Sequence, residues 1–526
     1  VRATPMQRPP AASEASPRAE AREGPTRSVG APREDPTAAA AGYHLPVRPG
    51  HDIPLLNAMA ATIVAEGRLD DEFCAERVDG LEEFAAFAEA VDVAAQADLA
   101  GIGTDDLRAA ARAYADAGRA AIFTGMGMSQ HRCGTANVHA LCNLALLTGN
   151  LGRRGAGVNP LRGQNNVQGA GDVGALPDLL PGYRSVADTE ARAAVANAWG
   201  VDADELPTDP GLTEVEATHA FGDRIRAAFV LGENPAVTEP NATRVADALD
   251  ALDCLVVQDI FLTETAEHAD VVLPGSAWAE RGGTVTNTDR QVIRMRPNAA
   301  PPGEARRDLD VLCDLGRRLT DGSDAFDYDG PEAVFEELTT VAPQYAGMSY
   351  DGIGTDSQRW PFPADADSGT AVLHESAFAS GDRLAPLRIV EHVDPVDAVG
   401  DDDLVLTTGR VAEHFNSGAL TRRSDRLVRM AGEQRLQIHP DDAATRAIAD
   451  GDRVVVASER GEVTVEAEVT PGVGRGRVFA TFHTANPLVN ALTGDELDPI
   501  AKIPEYKHSS VRVTVAPADE DAAVDG

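Results

Sequence analysis

Three short apolar runs break into polar loops: "RAAFVLGENP" (226–235), "CLVVQDIF" (254–261) and "ADVVLPGSAWAERGGTVTN" (269–287). A fourth, "RAAIFTGMG" (119–127), ends in a glycine loop and is followed by the helix-periodic stretch "TANVHALCNLALLTG" (135–149). Strand, loop, helix is the repeating unit of an α/β layer. Strands roughly 30 residues apart imply right-handed crossovers into a parallel sheet. Ligands in such sheets lie beyond the carboxyl ends of the strands. Gly125, Gly127, Glu233, Asn234, Asp259 and Pro274 occupy those ends.

Upstream, "IPLLNAMAATIVAEG" (53–67) has helical apolar spacing and closes on a glycine, a good C-cap, and "DDLRAAARAYADAG" (105–118) predicts a second helix. In the helix over 135–149, Val138, Leu141, Cys142 and Ala145 share one face, the expected buried one. After Asp401 the texture changes to alternating strands, with "SERGEVTV" as a hairpin signal. A chain of 526 residues exceeds one core. The expected division is an arm over 1–45 (disordered, or from a mis-assigned start), α/β domains over 46–164 and 165–325, a linker or excursion over 326–398, a β-barrel over 399–517 and an acidic tail over 518–526.

The formal net charge is −38, which excludes nucleic acid as a partner, since phosphate binding needs a basic face. The basic residues are arginines except Lys502 and Lys507. An acidic, lysine-poor composition fits a protein kept soluble in high salt, and a halophilic source is expected. The cysteines (Cys74, Cys133, Cys142, Cys254, Cys313) show no metal-site spacing and read as buried thiols in a reducing, cytoplasmic compartment. No membrane span and no signal peptide are visible.

The densest signal is "NPLRGQNNVQGAGDVGALPD" (159–178). Gly163, Gly169, Gly171 and Gly174 argue against a helix, and Gln164, Asn165, Asn166 and Gln168 argue against a buried strand. A loop of fixed donors and acceptors around one guanidinium, Arg162, is expected, with glycines letting the backbone approach a ligand.

With "GMGMSQH…NLALLTGNLGRRGAGVNPLRGQNNVQGAGDVGALPD", "LGENPAVTEPN", "VVQDIFLTETAEHADVVLPGSAWAERGGTVTNTDR" and "IPEYKHSSVRV", the chain resembles the catalytic (alpha) subunit of molybdopterin guanine dinucleotide oxidoreductases, in particular the formate dehydrogenase branch, over about residues 46 to 515. The resemblance implies α/β dinucleotide-binding domains followed by a C-terminal barrel of the double-psi type. It also implies bis-molybdopterin guanine dinucleotide carrying molybdenum or tungsten, with formate as substrate. Arg162 and Gln164 carry over as catalytic residues, Arg162 offering two parallel donors to a carboxylate. Gly125, Gln130, Gly163, Asn165, Asn166, Glu233, Asn234, Asp259, Arg410, His414, Asn490 and Lys507 carry over as cofactor contacts. His131 reads as a satisfied loop histidine. Nitrate reductases of the same superfamily resemble this stretch but usually lack the arginine.

The family pattern also begins with a four-cysteine [4Fe–4S] motif and a metal-ligating cysteine or selenocysteine, neither of which is present here. Cys133 aligns with a non-ligand stretch, so no metal ligand is assigned. The expectation is a C-terminal part of such an enzyme, whose N-terminal portion or electron-transfer subunit is encoded separately, so that this chain alone does not oxidise formate. The alternatives are nitrate reductase or another molybdopterin oxidoreductase, and an inactive truncated product.

Overall fold

The computed structural model describes residues 26–320, 324–354 and 356–517. The first part of the expected arm (1–25) and the acidic tail lie outside the described residues. The chain divides into two compact units. The first comprises residues 1–161, 236–244 and 373–526, and the second residues 162–235 and 245–372.

In the first unit the helix Asp52–Ala65 is buried along nearly its whole length, from Asp52 to Ile63. A helix apolar on every side must be enclosed, and it packs against the helices Leu81–Ala90, Val93–Ala100, Thr104–Ala115 and Gly134–Leu147. It ends as its sequence predicts. Gly67 takes φ +63, its N–H reaches Val64 O and the Arg68 N–H reaches Ile63 O, a Schellman closure open to a residue that tolerates the left-handed region. In Gly134–Leu147 the buried side is Asn137, Ala140, Leu141, Leu144 and Ala145, whereas Val138, expected inside, is 37% exposed. The strand Ala121–Thr124 pairs in parallel with Gly157–Pro160.

The helical layer is tied to residues far downstream. Asn57 Nδ2 donates to Val390 O (2.8 Å), and Asn143 clamps Arg388 through both N–H and C=O (3.0 and 2.7 Å). Arg477 Nη1 reaches back to Pro46 O at 3.1 Å. Residues 26–45, within the expected arm, form the parallel pair Ser28–Gly30 and Tyr43–Leu45 over a small core of Val29, Ala31 and Ala38.

The expected barrel is present and closed. Its strands run in the order Leu404–Gly409, Arg477–Thr481, Arg435–Ile438, Glu462–Val469, Arg453–Ala457 and Ser509–Val515, and the last returns to the first. Alternation fills the interior with Leu404, Leu406, Leu436, Ile438, Val454 and Val456. The predicted hairpin joins Arg453–Ala457 to Glu462–Val469, with Ser458 N–H on Gly461 O.

The second unit holds the parallel sheet that the apolar runs predict, in the order Val271–Pro274, Cys254–Asp259, Ala227–Leu231. Beyond it Gly283–Thr286 and Gln291–Met295 form an antiparallel ribbon. The stretch 326–398 carries the helix Pro331–Val341 and a core of Phe335, Tyr345, Met348, Tyr350, Ile353 and Phe362. Among the described residues no helix is long and apolar enough to cross a membrane.

One local expectation fails. Val167–Asp172, inside the glycine-rich motif, is an α-helix. Gly169 and Gly171 are required by its packing: a Cβ would lie 2.1 Å from Asn166 Oδ1 at the first and 2.6 Å from Tyr183 OH at the second. The glycines therefore make room for the unit's own polar side chains.

Candidate functional site

In the first unit the loop after Ala121–Thr124 is pinned from beneath. His131 is 1% exposed, with Nε2 3.0 Å from Gly127 O, and Asn137 Nδ2 donates to Met128 O at 2.9 Å. His131 Nδ1 stands 3.6 Å from Glu505. Burial would raise the Glu505 carboxyl, but the His131 ring and the Val396 N–H hold it below its ordinary range. Gln130 is half-buried on this loop. A cleft opens here, lined by Gly30, Gly125, Gly127, His131, Thr407 and Lys507 among others. Gly125, Gly127 and Lys507, all singled out by sequence, are thus brought together.

Lys507 is 6% exposed and donates from Nζ to Thr408 O (3.1 Å) and Thr408 Oγ1 (3.4 Å). Its ammonium and the exposed Arg410 guanidinium lie 5.9 and 5.5 Å from the Phe482 ring. Two cations beside one aromatic ring suit an anionic ligand. Nearby, His414 stacks on His483 with centroids 4.6 Å apart and planes 10° apart. His414 Nδ1 contacts Thr421 Oγ1 (3.0 Å), and His483 Nδ1 contacts Thr481 Oγ1 (2.9 Å). Burial, then the neighbouring His414, pushes His483 down to about 4, and burial also lowers His414. Both shifts favour the neutral ring, which suits a close stack. Asn490 is 1% exposed and donates both amide hydrogens inward, to Val237 O (2.9 Å) and Thr238 O (2.8 Å). Its Oδ1 is buried without a hydrogen-bond partner among the described residues.

In the second unit Arg162, Gly163, Gln164 and Asn165 are exposed. The Arg162 guanidinium makes no hydrogen bond or ion pair with another described residue. Directly behind it a polar network fixes the helix Val167–Asp172. Asn166, at φ 62, accepts from the Thr286 N–H at 2.8 Å. Thr286 Oγ1 meets Tyr345 OH (2.9 Å), and Tyr345 OH donates to the fully buried Asp172 at 2.5 Å. Gln168 Nε2 joins Asp172 (3.0 Å) to Tyr183 OH (2.8 Å). Burial raises the Asp172 carboxyl above its usual range despite these donors.

Glu233 and Asn234 follow the strand Ala227–Leu231 as expected. Glu233 keeps an exposed rim, yet the protein around its carboxyl and the nearby Glu214 push it up to about 8. Asn234 is 3% exposed and committed inward. Its Oδ1 accepts from Thr265 N (3.0 Å) and Thr265 Oγ1 (2.8 Å), and its Nδ2 donates to Glu264 (2.8 Å). Asp259 closes its strand, and Oδ1 accepts from the Ile260 N–H at 2.6 Å. Sequence reading missed Phe482, His483, Tyr183, Thr286 and Tyr345. For the first pair a signal was available in "TFHTANP", directly after the strand Arg477–Thr481.

Comparison with known proteins agrees with the resemblance. The family model described as "Molybdopterin oxidoreductase" matches residues 14–318, and the "Molydopterin dinucleotide binding domain" matches residues 404–510. The F420-dependent formate dehydrogenase 1 subunit alpha of Methanococcus maripaludis is 40% identical over 92% of this chain and 71% of its own. Formate dehydrogenase H of Escherichia coli is 36% identical over 94% of this chain and 69% of its own. The assimilatory nitrate reductase catalytic subunit of Bacillus subtilis is also 36% identical, over 92% and 69%. Acetylene hydratase from Pelobacter acetylenicus shares the fold, with a TM-score of 0.72 at 17% identity over 93% of this chain and 74% of that one.

Proposed function

Because the chain belongs to the molybdopterin oxidoreductase family, we propose that it is the catalytic part of a formate dehydrogenase, holding bis-molybdopterin guanine dinucleotide with molybdenum or tungsten. The observation that carries this reading is Arg162. In a chain of net charge −38 its exposed guanidinium has no carboxylate partner among the described residues. It remains available to a small planar anion, which it can grip with two parallel donors.

The residues present fit the cofactor. Lys507 and Arg410 supply positive charge for phosphates, the glycine-lined cleft supplies close approach, and the orphaned Asn490 Oδ1, outside that lining, is a spare acceptor. When bound, the metal–pterin centre supplies the acceptor for the two electrons that leave formate along with carbon dioxide and a proton. Arg162 orients the carboxylate, and Gln164 adds an amide donor beside it. The Asp172–Tyr345–Thr286 network holds the next helix, so the guanidinium is presented on a fixed base. Gly125, Gln130, Gly163, Asn165, Glu233, Asp259 and His414 contact the dinucleotides. Asn166, Asn234 and Asn490 act chiefly by shaping the backbone around them, because most of their hydrogen bonds are spent inward.

The cysteines do not fit a [4Fe–4S] cluster. They are free and scattered, and burial pushes Cys74 up to about 11 and Cys133 up to about 12, away from the thiolate form that binds iron. Electron transfer is therefore assigned to a separately encoded N-terminal portion or electron-transfer subunit.

The test is Arg162→Lys in the complete, reconstituted enzyme. Losing one charge-assisted hydrogen bond, roughly 1.5–3 kcal/mol, should lower kcat/KM for formate about ten- to a hundred-fold. Metal per chain should stay unchanged. Lost metal with normal activity per metal would make Arg162 a cofactor ligand instead. The Bacillus subtilis relative supports a second reading, nitrate reduction, and nitrate turnover without formate turnover would select it.

A further inference from the structure

Outside the residues assigned to the cofactor, three ligating side chains of the first unit converge: His51, His392 and Asp394. One ligand atom of each lies within 4.8 Å of the others. His51 immediately precedes the helix Asp52–Ala65 but makes no side-chain cap there. Its Nδ1 faces Pro49 O at 3.1 Å. With the proton on Nδ1, the lone pair is left on Nε2, the usual way a ligating imidazole is oriented. His392 Nε2 is 3.1 Å from Asp394 Oδ1, and His392 Nδ1 is buried with no hydrogen-bond partner among the described residues. The two rings stand 4.9 Å apart, tilted by 33°.

The backbone is built for this approach. Gly50 takes φ +81, and a Cβ there would fall 2.4 Å from Pro395 Cγ. Only glycine allows the turn before His51 to sit so close to the His392–Asp394 segment.

We infer that His51, His392 and Asp394 form a binding site for a divalent transition metal of the zinc class, with water in the remaining position. Two imidazoles and a carboxylate are a zinc-type donor set. Bonds near 2.0–2.1 Å require ligand atoms about 3.3 Å apart. His392 and Asp394 already meet that spacing, and rotation of exposed or half-buried side chains supplies the rest. The ion clasps the start of the helix Asp52–Ala65 to the segment that carries Val390. Its role is structural and independent of the formate chemistry.

The test uses the full chain, stripped with chelator and dialysed against zinc or cobalt(II) in 1 M potassium chloride, where a Debye length of ~3 Å suppresses loose binding to the acidic surface. One ion per chain is expected, with the visible d–d bands of a low-symmetry cobalt(II) site and a raised melting temperature. His392→Ala should weaken binding at least about a hundred-fold, and Asp394→Asn about ten-fold or more. Circular dichroism shows whether each variant is folded, and the exposed Asp394 is the substitution least able to disturb it. Absence of stoichiometric binding in the wild type, or equal binding in folded Asp394→Asn and His392→Ala, would overturn the assignment.

Discussion

The closed barrel and the open parallel sheet treat the apolar side chains of their strands differently. In the barrel strand Arg453–Ala457, Val454 and Val456 are fully buried and their neighbours face outward. In the sheet, Phe229, Leu231, Val271 and Val272 are 38% to 45% exposed. A barrel pairs every strand on both sides around one core, whereas a three-stranded sheet has two edges and needs cover on both faces. Clean alternation in sequence thus marks a fold that completes itself. A continuous apolar run marks strands whose burial depends on other layers.

The strongest way to break this comparison is to cut into each region. Ile438→Ala empties part of the barrel core and should cost about 2–5 kcal/mol of unfolding free energy. Val271→Thr, on the exposed face of the sheet, should change it by no more than about 0.5 kcal/mol. Equal losses in urea unfolding would erase the distinction.

Acid sharpens it, because the two units carry buried groups of opposite sign. His483 titrates near 4 in the folded barrel and near 6.5 when free. Between those values the unfolded chain binds a proton that the folded barrel refuses. Barrel stability is therefore complete above pH 6.5 and falls as pH drops toward 4, by up to about 1.4 kcal/mol per pH unit. Asp172 in the second unit is raised, so its contribution against folding is relieved as pH falls toward 3.8. All three tryptophans (Trp199, Trp278 and Trp360) lie in the second unit. His483→Gln should flatten the acid loss seen by circular dichroism and leave the tryptophan transition unmoved. A shift of both signals would tie the effect to the whole chain.

Salt should produce the smallest and most uniform change. With 84 acidic against 46 basic residues, self-repulsion is screened as the Debye length falls to ~3 Å at 1 M. The melting temperature should rise in both units between dilute buffer and molar potassium chloride. A flat or falling value would remove the case for a salt-adapted surface.

Much of this architecture is legible in the sequence because it follows period and punctuation. The strand ends at Thr124, Leu231 and Asp259, the glycine closure at Gly67 and the alternating barrel strands all obey local rules. The helix Val167–Asp172 does not, since its glycines answer to Asn166 and Tyr183, contacts no local pattern records. The aromatic core around Tyr345 is equally silent, because its members come from turns without periodicity. Among the candidate site residues, the sequence locates Gly125 and Lys507 and leaves their shared cleft to the fold. It also marks Asn234 and Asn490 as polar, but whether an amide faces a ligand or a distant carbonyl depends on residues such as Val237 that lie far along the chain.

The hydrogen bonds from Asn57 to Val390 and from Arg477 to Pro46 span 333 and 431 positions. They set a schedule for the nascent chain. The mostly apolar helix Asp52–Ala65 leaves the ribosome long before the segment that seals it, and at ~5–20 residues per second the delay is tens of seconds. Meanwhile the whole sequence of the second unit is made, and it can fold in the interval. A ribosome that stops shortly after residue 372 would release a finished second unit attached to an unsealed helical layer, the kind of surface that chaperones and proteases recognise.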